Sequence, residues 1–490
     1  MALSLLAGYP LRRVSMTLSL NGDATSTLGS AAPFTFYIDT AFNISRTHPL
    51  GGPIRGGTDL HVYLIDERLL VDFGGTAHGP ACRFTYVEPS PSRHTTFERN
   101  VVVPATLSNC GGSRSCGAGW GLLACTMPPY EGPLDTNGVG EVLVEVTING
   151  QHYTTSGSTY RYYDPRTWHT TSFSPFGGPL TGNTTVSIIS SHLYPLGDAR
   201  CRFGDDLLTA EVNASIDAAH VVTCTSPPHW ILYDGTKRVE LQLTLNGQDY
   251  MSVGMQHSIY TFYTLDDARY GLTVRHLSPN GGPSAGGTLV RVDGTGFVDL
   301  GGVLCQFAGE PAVPATIVND LTMLCTSPMT STHSSFEERS LAVTLNGQLH
   351  ARTRTSVVPF IYYAWTDVRV SVIYPQGGPL DGNIAVTVWG VGFRDLDHGK
   401  GLHCSFGWGS ERLVSATLSA SAHGGEALIC MSPAVRATQL PASAEQCTGG
   451  PTVVPLRISL NGNNSAIGAN GPWALTREDD NVTFTYLALE

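Results

Sequence analysis

Lysine is almost absent. Of the 28 basic residues only Lys237 and Lys400 are lysines, and charged residues of both signs make up only 14% of the 490-residue chain. Soluble domains usually carry about 25% charge, and long solvated helices or coiled coils use more. The shortage therefore argues against a helical protein. Net charge is −12 and no basic stripe is present, which excludes the counterion-displacing surface that nucleic-acid binding needs. No apolar run approaches the roughly 20 residues that cross a bilayer, so a membrane is reached only through regions outside this segment. The opening Met1-Ala-Leu-Ser-Leu-Leu-Ala7 lacks a basic n-region and a cleavage site, and no signal peptide is expected in it.

Glycine is plentiful at 55 residues and proline at 30, with 41% hydrophobic residues to build cores. At roughly 100–200 residues per domain the length implies several domains. Internal repetition divides them. His48-Pro-Leu-Gly-Gly-Pro53 returns as Ser174-Pro-Phe-Gly-Gly-Pro179, Ser278-Pro-Asn-Gly-Gly-Pro283 and Tyr374-Pro-Gln-Gly-Gly-Pro379. Each copy leads into alternating stretches such as Thr288-Leu-Val-Arg-Val292 or Ile384-Ala-Val-Thr-Val388, the period of a half-buried strand. A Cys-x-Phe strand follows at Cys82, Cys201, Cys305 and Cys404, then a Cys-x-x-Pro at Cys125, Cys224, Cys325 and Cys430. The closing phrase is an alternating strand ending in Asn149-Gly150, Asn246-Gly247, Asn346-Gly347 or Asn461-Gly462. An aromatic strand comes after it. Asn-Gly in this position predicts a type I′ hairpin turn with positive φ at both residues. A fifth closing phrase, Met16-Thr-Leu-Ser-Leu-Asn-Gly22 with Phe34-Thr-Phe36, stands alone at the front.

These phrases divide the chain into the closing strands of an incomplete unit at 1–42 and four units at 43–165, 166–266, 267–365 and 366–490. Two strands alone bury no face, so the front pair calls for cover from another chain or from unit one. About seven short strands per unit predict an all-β array of immunoglobulin-like β-sandwiches. The ordered set of Gly-Gly-Pro, Gly-x-Gly-Phe (Gly294 to Phe297, Gly390 to Phe393), Cys-x-Phe, Cys-x-Ser-Pro and Leu-Asn-Gly-Gln resembles the IPT/TIG domain. That module, of the E-set type, occurs in plexins, hepatocyte-growth-factor-type receptors and fibrocystin-like surface proteins. Units one and two depart from the pattern at Leu64–Glu67 and Ser190–Leu193.

The repeated cysteine pairs have two readings, intradomain disulfides or buried free thiols. Recurrence in every unit favours disulfides, and hence an oxidising compartment. Cys110 and Cys116 form a further local pair, and Cys447 is left over as a free or intermolecular thiol. Asn43, Asn183, Asn213, Asn463 and Asn481 stand in Asn-x-Ser/Thr sequons, candidate attachment points for N-linked glycans. No nucleophile elbow, zincin motif, phosphate loop or cofactor fingerprint occurs, and no catalytic residue or cofactor is expected. Asp395 and Asp397 are the best calcium candidates but lack the carboxylates to complete a shell.

The resulting expectation is a non-catalytic, semi-rigid structural or adhesive rod, part of a longer secreted or membrane-anchored glycoprotein. Its partners would be other copies of the chain or other surface and extracellular proteins. The resemblance implies ciliary-surface proteins of the fibrocystin kind among its relatives. A receptor ectodomain binding a protein ligand is the alternative. An intracellular Rel-type array and an accessory module of a polysaccharide-active enzyme come behind it.

Overall fold

The computed structural model describes residues 11–20, 22, 28–37, 42–65, 79–88, 97–109, 121–167, 170–190, 193–204, 209–218, 220–229, 236–254, 258–265, 271–331, 336–353, 359–398, 400–407, 413–420, 426–435, 451–461 and 482–487. Nearly all regular structure among them is β-strand. Contacts group the chain into two compact units. The first comprises Met1–Phe173, Thr185–Pro227 and Glu240–Ile259, the second Ser174–Thr184, Pro228–Val239 and Tyr260–Glu490.

The third repeat, within the second unit, shows how sequence becomes sandwich. Along Leu289–Thr295 the valines Val290 and Val292 are buried while Arg291 between them is exposed, as a pleated strand with one face inward requires. In pairing order the strands are Thr273–Ser278, Leu289–Thr295, Thr322–Thr326, Val313–Asn319, Leu304–Phe307, Phe336–Thr344, Pro359–Tyr363 and Gly281–Pro283. The Val313–Asn319 strand stitches the two layers together. Its Val313 and Pro314 pair with Leu304 and Cys305, and Ala315 onward pairs with Thr322–Cys325. The core between the layers holds Val290, Val292, Phe307, Leu341, Val343, Phe360 and Tyr362. The fourth repeat has the same strand order around Val386, Val388, Phe406, Ile458, Phe484 and Tyr486.

In the first unit, the first repeat forms two separate sheets of five and four strands. The stitching strand is interrupted there. Phe97–Pro104 pairs with Ala81–Glu88, and Thr106–Asn109 pairs with Gly121–Thr126. Pro104, which has no N–H to donate, stands at the break. The front hairpin, Leu11–Leu18 with Leu28–Tyr37, is a two-stranded sheet of its own. Its Met16, Leu18, Leu20, Phe34 and Phe36 are exposed.

The expected type I′ turn is not what forms. Gly150, Gly247 and Gly347 have positive φ, but Asn149, Asn246, Asn346 and Asn461 do not. The connection is also longer than the two residues of a type I′ turn: Leu243 pairs with Met251 across the Asn246 turn, and in the third repeat the flanking strands are Phe336–Thr344 and Pro359–Tyr363. The asparagine side chain makes the turn instead. Asn246 Oδ1 accepts the N–H groups of Gln248 and Asp249 at 3.1 and 2.9 Å, a local bond that asparagine makes readily. The Thr244 hydroxyl donates to the same oxygen at 3.0 Å. The carbonyl oxygen is thus occupied within the turn, while the amide nitrogen gives one hydrogen to Asp249 Oδ2 of the same turn at 2.9 Å and keeps the other for a partner outside it.

Candidate functional site: the repeated junction

That amide meets the preceding repeat. In the first unit, Asn246 Nδ2 donates to the carbonyl of Gly51 at 3.1 Å, a residue in the Gly-Gly-Pro strand one repeat earlier. In the second unit, Asn346 Nδ2 donates to Gly177 O at 3.2 Å and Thr184 Oγ1 at 3.3 Å. Asn461 Nδ2 donates to Thr288 Oγ1 at 3.2 Å. All three asparagines are buried, so each missing partner would leave a desolvated polar group. The equivalent Asn149 faces Tyr37 of the front hairpin, with Nδ2 3.4 Å from its hydroxyl.

A backbone bond runs beside each amide. Leu50 N–H donates to Leu196 O at 2.8 Å, Phe176 N–H to Leu300 O at 2.7 Å, and Asn280 N–H to Leu396 O at 2.7 Å. The same leucines explain the first glycine of Gly-Gly-Pro. A Cβ on Gly51, Gly177 or Gly281 would lie 2.8, 2.7 or 2.8 Å from a methyl of Leu196, Leu300 or Leu396. The second glycine answers to its own sandwich: a Cβ on Gly52, Gly178 or Gly282 would collide with Thr58, Thr184 or Thr288. The prolines that precede these strands, Pro49, Pro175, Pro279 and Pro375, follow cis peptide bonds.

A tyrosine completes the contact. Tyr263, at the end of a closing strand, belongs to the buried core cluster of the third sandwich, and Tyr363 to that of the fourth. Burial raises the pKa of Tyr163, Tyr263 and Tyr363, so all three are neutral phenols at any physiological pH.

Each junction adds contacts of its own. At the first, Asp249 accepts from the Thr58 hydroxyl at 2.7 Å and pairs with Arg55 at 3.2 Å, while Gln248 and the Asp59 backbone exchange two hydrogen bonds of 2.9 Å. His48 lies 4.0 Å from Asp198. At the last, Ser278 donates to Asp397 at 2.6 Å and the rings of His276 and His398 stack at 5.2 Å.

The calcium candidates therefore have other work. Asp395 accepts the N–H of Asp397, and Asp397 receives Ser278. Among the described residues no group of three or more His, Cys, Asp or Glu could hold a metal. The structure joins Cys82 to Cys125, Cys201 to Cys224, Cys305 to Cys325 and Cys404 to Cys430. Cys110, Cys116, Cys447, Asn463 and Asn481 lie outside the described residues. Asn183 and Asn213 are exposed, and Asn43 is half-buried with its side-chain oxygen accepting from Thr155 N–H. Sequence reasoning saw the Asn-Gly phrase but assigned it to a hairpin. The signal it missed is the threonine or serine two residues before each asparagine, which engages the amide oxygen.

Fold and junction together define a tandem array of immunoglobulin-like sandwiches. Residues 169–262 and 272–362 match the family model of the IPT/TIG domain, and the chain carries two tandem IPT/TIG domains there. Plexin-A3 of Rattus norvegicus is 26% identical over 290 residues, covering 58% of this chain and 13% of that protein. Fibrocystin-L of Homo sapiens is 27% identical over 127 residues, covering 26% of this chain and 3% of that protein. The chain thus spans a small fraction of the curated relatives' length. Among solved structures, the full extracellular region of plexin A4 aligns with 97% of this chain and 44% of its own at 14% identity and a TM-score of 0.38. A tetra-tandem repeat from the extending region of a large adhesion protein aligns with 89% and 96% at 12% identity and a TM-score of 0.17.

Proposed function

We propose that this chain is a non-catalytic segment of a longer extracellular or cell-surface glycoprotein, in which successive sandwiches are locked in register to make a semi-rigid spacer with adhesive faces. The observation that carries this reading is the junction built three times from one set of parts: asparagine amide, leucine carbonyl and glycine edge. A chain of freely jointed domains has no use for buried polar contacts between neighbours; a spacer that must hold its orientation does. Paired cysteines in each sandwich and exposed sequons at Asn183 and Asn213 fit an oxidising, glycosylating compartment. Its partners would be other copies of the chain or other extracellular proteins.

The test is the distance distribution between spin labels placed on the third and fourth sandwiches of the full chain. A spacer gives one narrow distance that broadens when Asn461 is replaced by alanine. A broad distribution in the unaltered protein would refute the reading. The similarity to Plexin-A3 supports a second reading, a receptor ectodomain that binds a protein ligand. Saturable binding of a soluble extracellular protein to the full chain would favour it over a spacer.

A further inference from the structure

Three Gly-Gly-Pro strands are covered by residues of the next repeat, and the fourth has no such cover among the described residues. Gly51–Pro53, Gly177–Pro179 and Gly281–Pro283 are buried at all three residues, whereas in Gly377–Pro379 only Gly378 is. The three atoms nearest an ideal Cβ on Gly377 all belong to Thr485 of its own closing strand, where at Gly51, Gly177 and Gly281 two of the three belong to a leucine of the next repeat. The carbonyl of Gln376 accepts the Thr485 N–H at 2.9 Å, as its three counterparts do within their own repeats. For the Gln376 N–H there is no carbonyl like those of Leu196, Leu300 and Leu396 among the described residues. The backbone of the edge is the same, but among the described residues its second side has no partner repeat.

The side chains have changed with it. Where the other repeats have Thr58, Thr184 and Thr288, this one has Ile384. Where they have Tyr163, Tyr263 and Tyr363, it has Leu487, 44% exposed against at most 2% for the tyrosines. Where they have His48, Ser174 and Ser278, it has Tyr374, 71% exposed. Asn346 shares its amide between the Gly177 carbonyl and the Thr184 hydroxyl, and Asn461 donates to the Thr288 hydroxyl; an amide seated in either way at this edge would meet the Ile384 side chain where those threonine hydroxyls stand. Covering a polar hydrogen with a methyl is unfavourable, and covering Ile384, Leu487 and the Tyr374 ring with apolar surface is favourable.

We propose that this edge docks a further immunoglobulin-like sandwich that offers a corner carbonyl to Gln376 and, at the turn facing Ile384, an apolar side chain in place of the asparagine. The inference rests on the tandem-array part of the proposed function. The same backbone register is kept while the polar contact is exchanged for an apolar one, so the fourth edge selects a different class of neighbour from the other three.

The test appends to the full chain, after Glu490, a copy of residues 267–365, a repeat with its own core and disulfide. The copy is made in two forms, one keeping its asparagine equivalent to Asn346 and one with N346L. A third protein pairs the asparagine copy with I384T in the parent chain, so that the result survives if the leucine copy folds poorly. Hydrogen exchange is read at the Gln376 amide, with the Phe176 and Asn280 amides as internal standards. The matched pairs, the leucine copy on Ile384 and the asparagine copy on the I384T parent, are expected to slow Gln376 exchange about tenfold relative to the asparagine copy on Ile384. Equal protection in all three fusions would overturn the selectivity, and protection in none would overturn the docking site. Protection in the unfused chain that grows with concentration would make a second copy the occupant and overturn the proposed neighbour. Fast exchange at Phe176 and Asn280 would instead refute the tandem junction itself.

Discussion

One amide group does two jobs in this protein. The oxygen of Asn346 closes its own turn, with Gln348 N–H at 3.2 Å and the Thr344 hydroxyl at 2.9 Å, while its nitrogen crosses to the neighbouring repeat. Aspartate would keep the first job and lose the second, because it has no hydrogen to give. N346D and N346A should therefore both lower the stability of the 2–3 junction, by roughly 1–3 kcal/mol for a buried carbonyl left unpaired. Calorimetry should show the second unit's transition shifted down in both. Calorimetry in which N346D matches the unaltered chain would contradict this account. His48 gives the first junction a different sensitivity. Burial lowers its pKa from the ordinary value of 6.5, more than Asp198 raises it, with His61, Arg46 and Arg200 adding to the lowering. A histidine with a depressed folded pKa binds fewer protons when folded, so stability falls as pH drops through and below 6.5. Thermal unfolding of the first unit should lose midpoint between pH 7 and pH 5, and H48Q should flatten that slope.

At the level of elements, the Gly-Gly-Pro strand is the piece that two sandwiches share. It pairs in parallel with its own closing strand, Gly281 opposite Ile361 and Pro283 opposite Tyr363, and presents its other side to the next repeat. A methyl on Gly281 would press on the Ile361 carbonyl at 2.7 Å and on Leu396 at 2.8 Å, so neither neighbour leaves room for it. G281A is expected to destabilise both the third sandwich and its junction, by more than G57A. The φ of Gly57 is +90° but nothing lies within 4 Å of its Cβ, so it suffers backbone strain alone. Chemical denaturation of the two variants makes the comparison. The stitching strand carries a second expectation. Cys305 and Cys325 sit on strands of opposite layers, with a sequence separation of 20. Closing a loop of that size contributes about 3 kcal/mol, so a C305S/C325S pair should lower the third sandwich's unfolding midpoint while leaving its strand content unchanged by circular dichroism.

For the whole molecule, the central expectation is chemical. Non-reduced peptide mapping of protein made in a secreting cell should return Cys82–Cys125, Cys201–Cys224, Cys305–Cys325 and Cys404–Cys430 linked and sugar on Asn183 or Asn213. Free thiols throughout and bare sequons would place the chain in a reducing compartment. The adhesive reading would then fall while the junction geometry stood, because the amide and backbone bonds described at the junctions use neither a cysteine nor a glycan.

The all-β character and the sandwich class were legible in the sequence, because strand alternation and turn glycines are local and recur along the chain. Val290 and Val292 flanking Arg291 need no neighbour to be read. The junction was not legible. Asn246 and Gly51 are separated by 195 residues, Asn346 and Gly177 by 169, and Asn461 and Thr288 by 173. Nothing local distinguishes an asparagine that starts a hairpin from one that closes its turn with its own oxygen and reaches outward with its nitrogen. The same holds for Ile384 and Leu487, which read as ordinary strand residues until the other three edges show what stands in their places. Local periodicity determined what each repeat is; the packing of one repeat on the next decided how they are joined, because the donor and acceptor of each junction come from different sandwiches and meet only once both have folded.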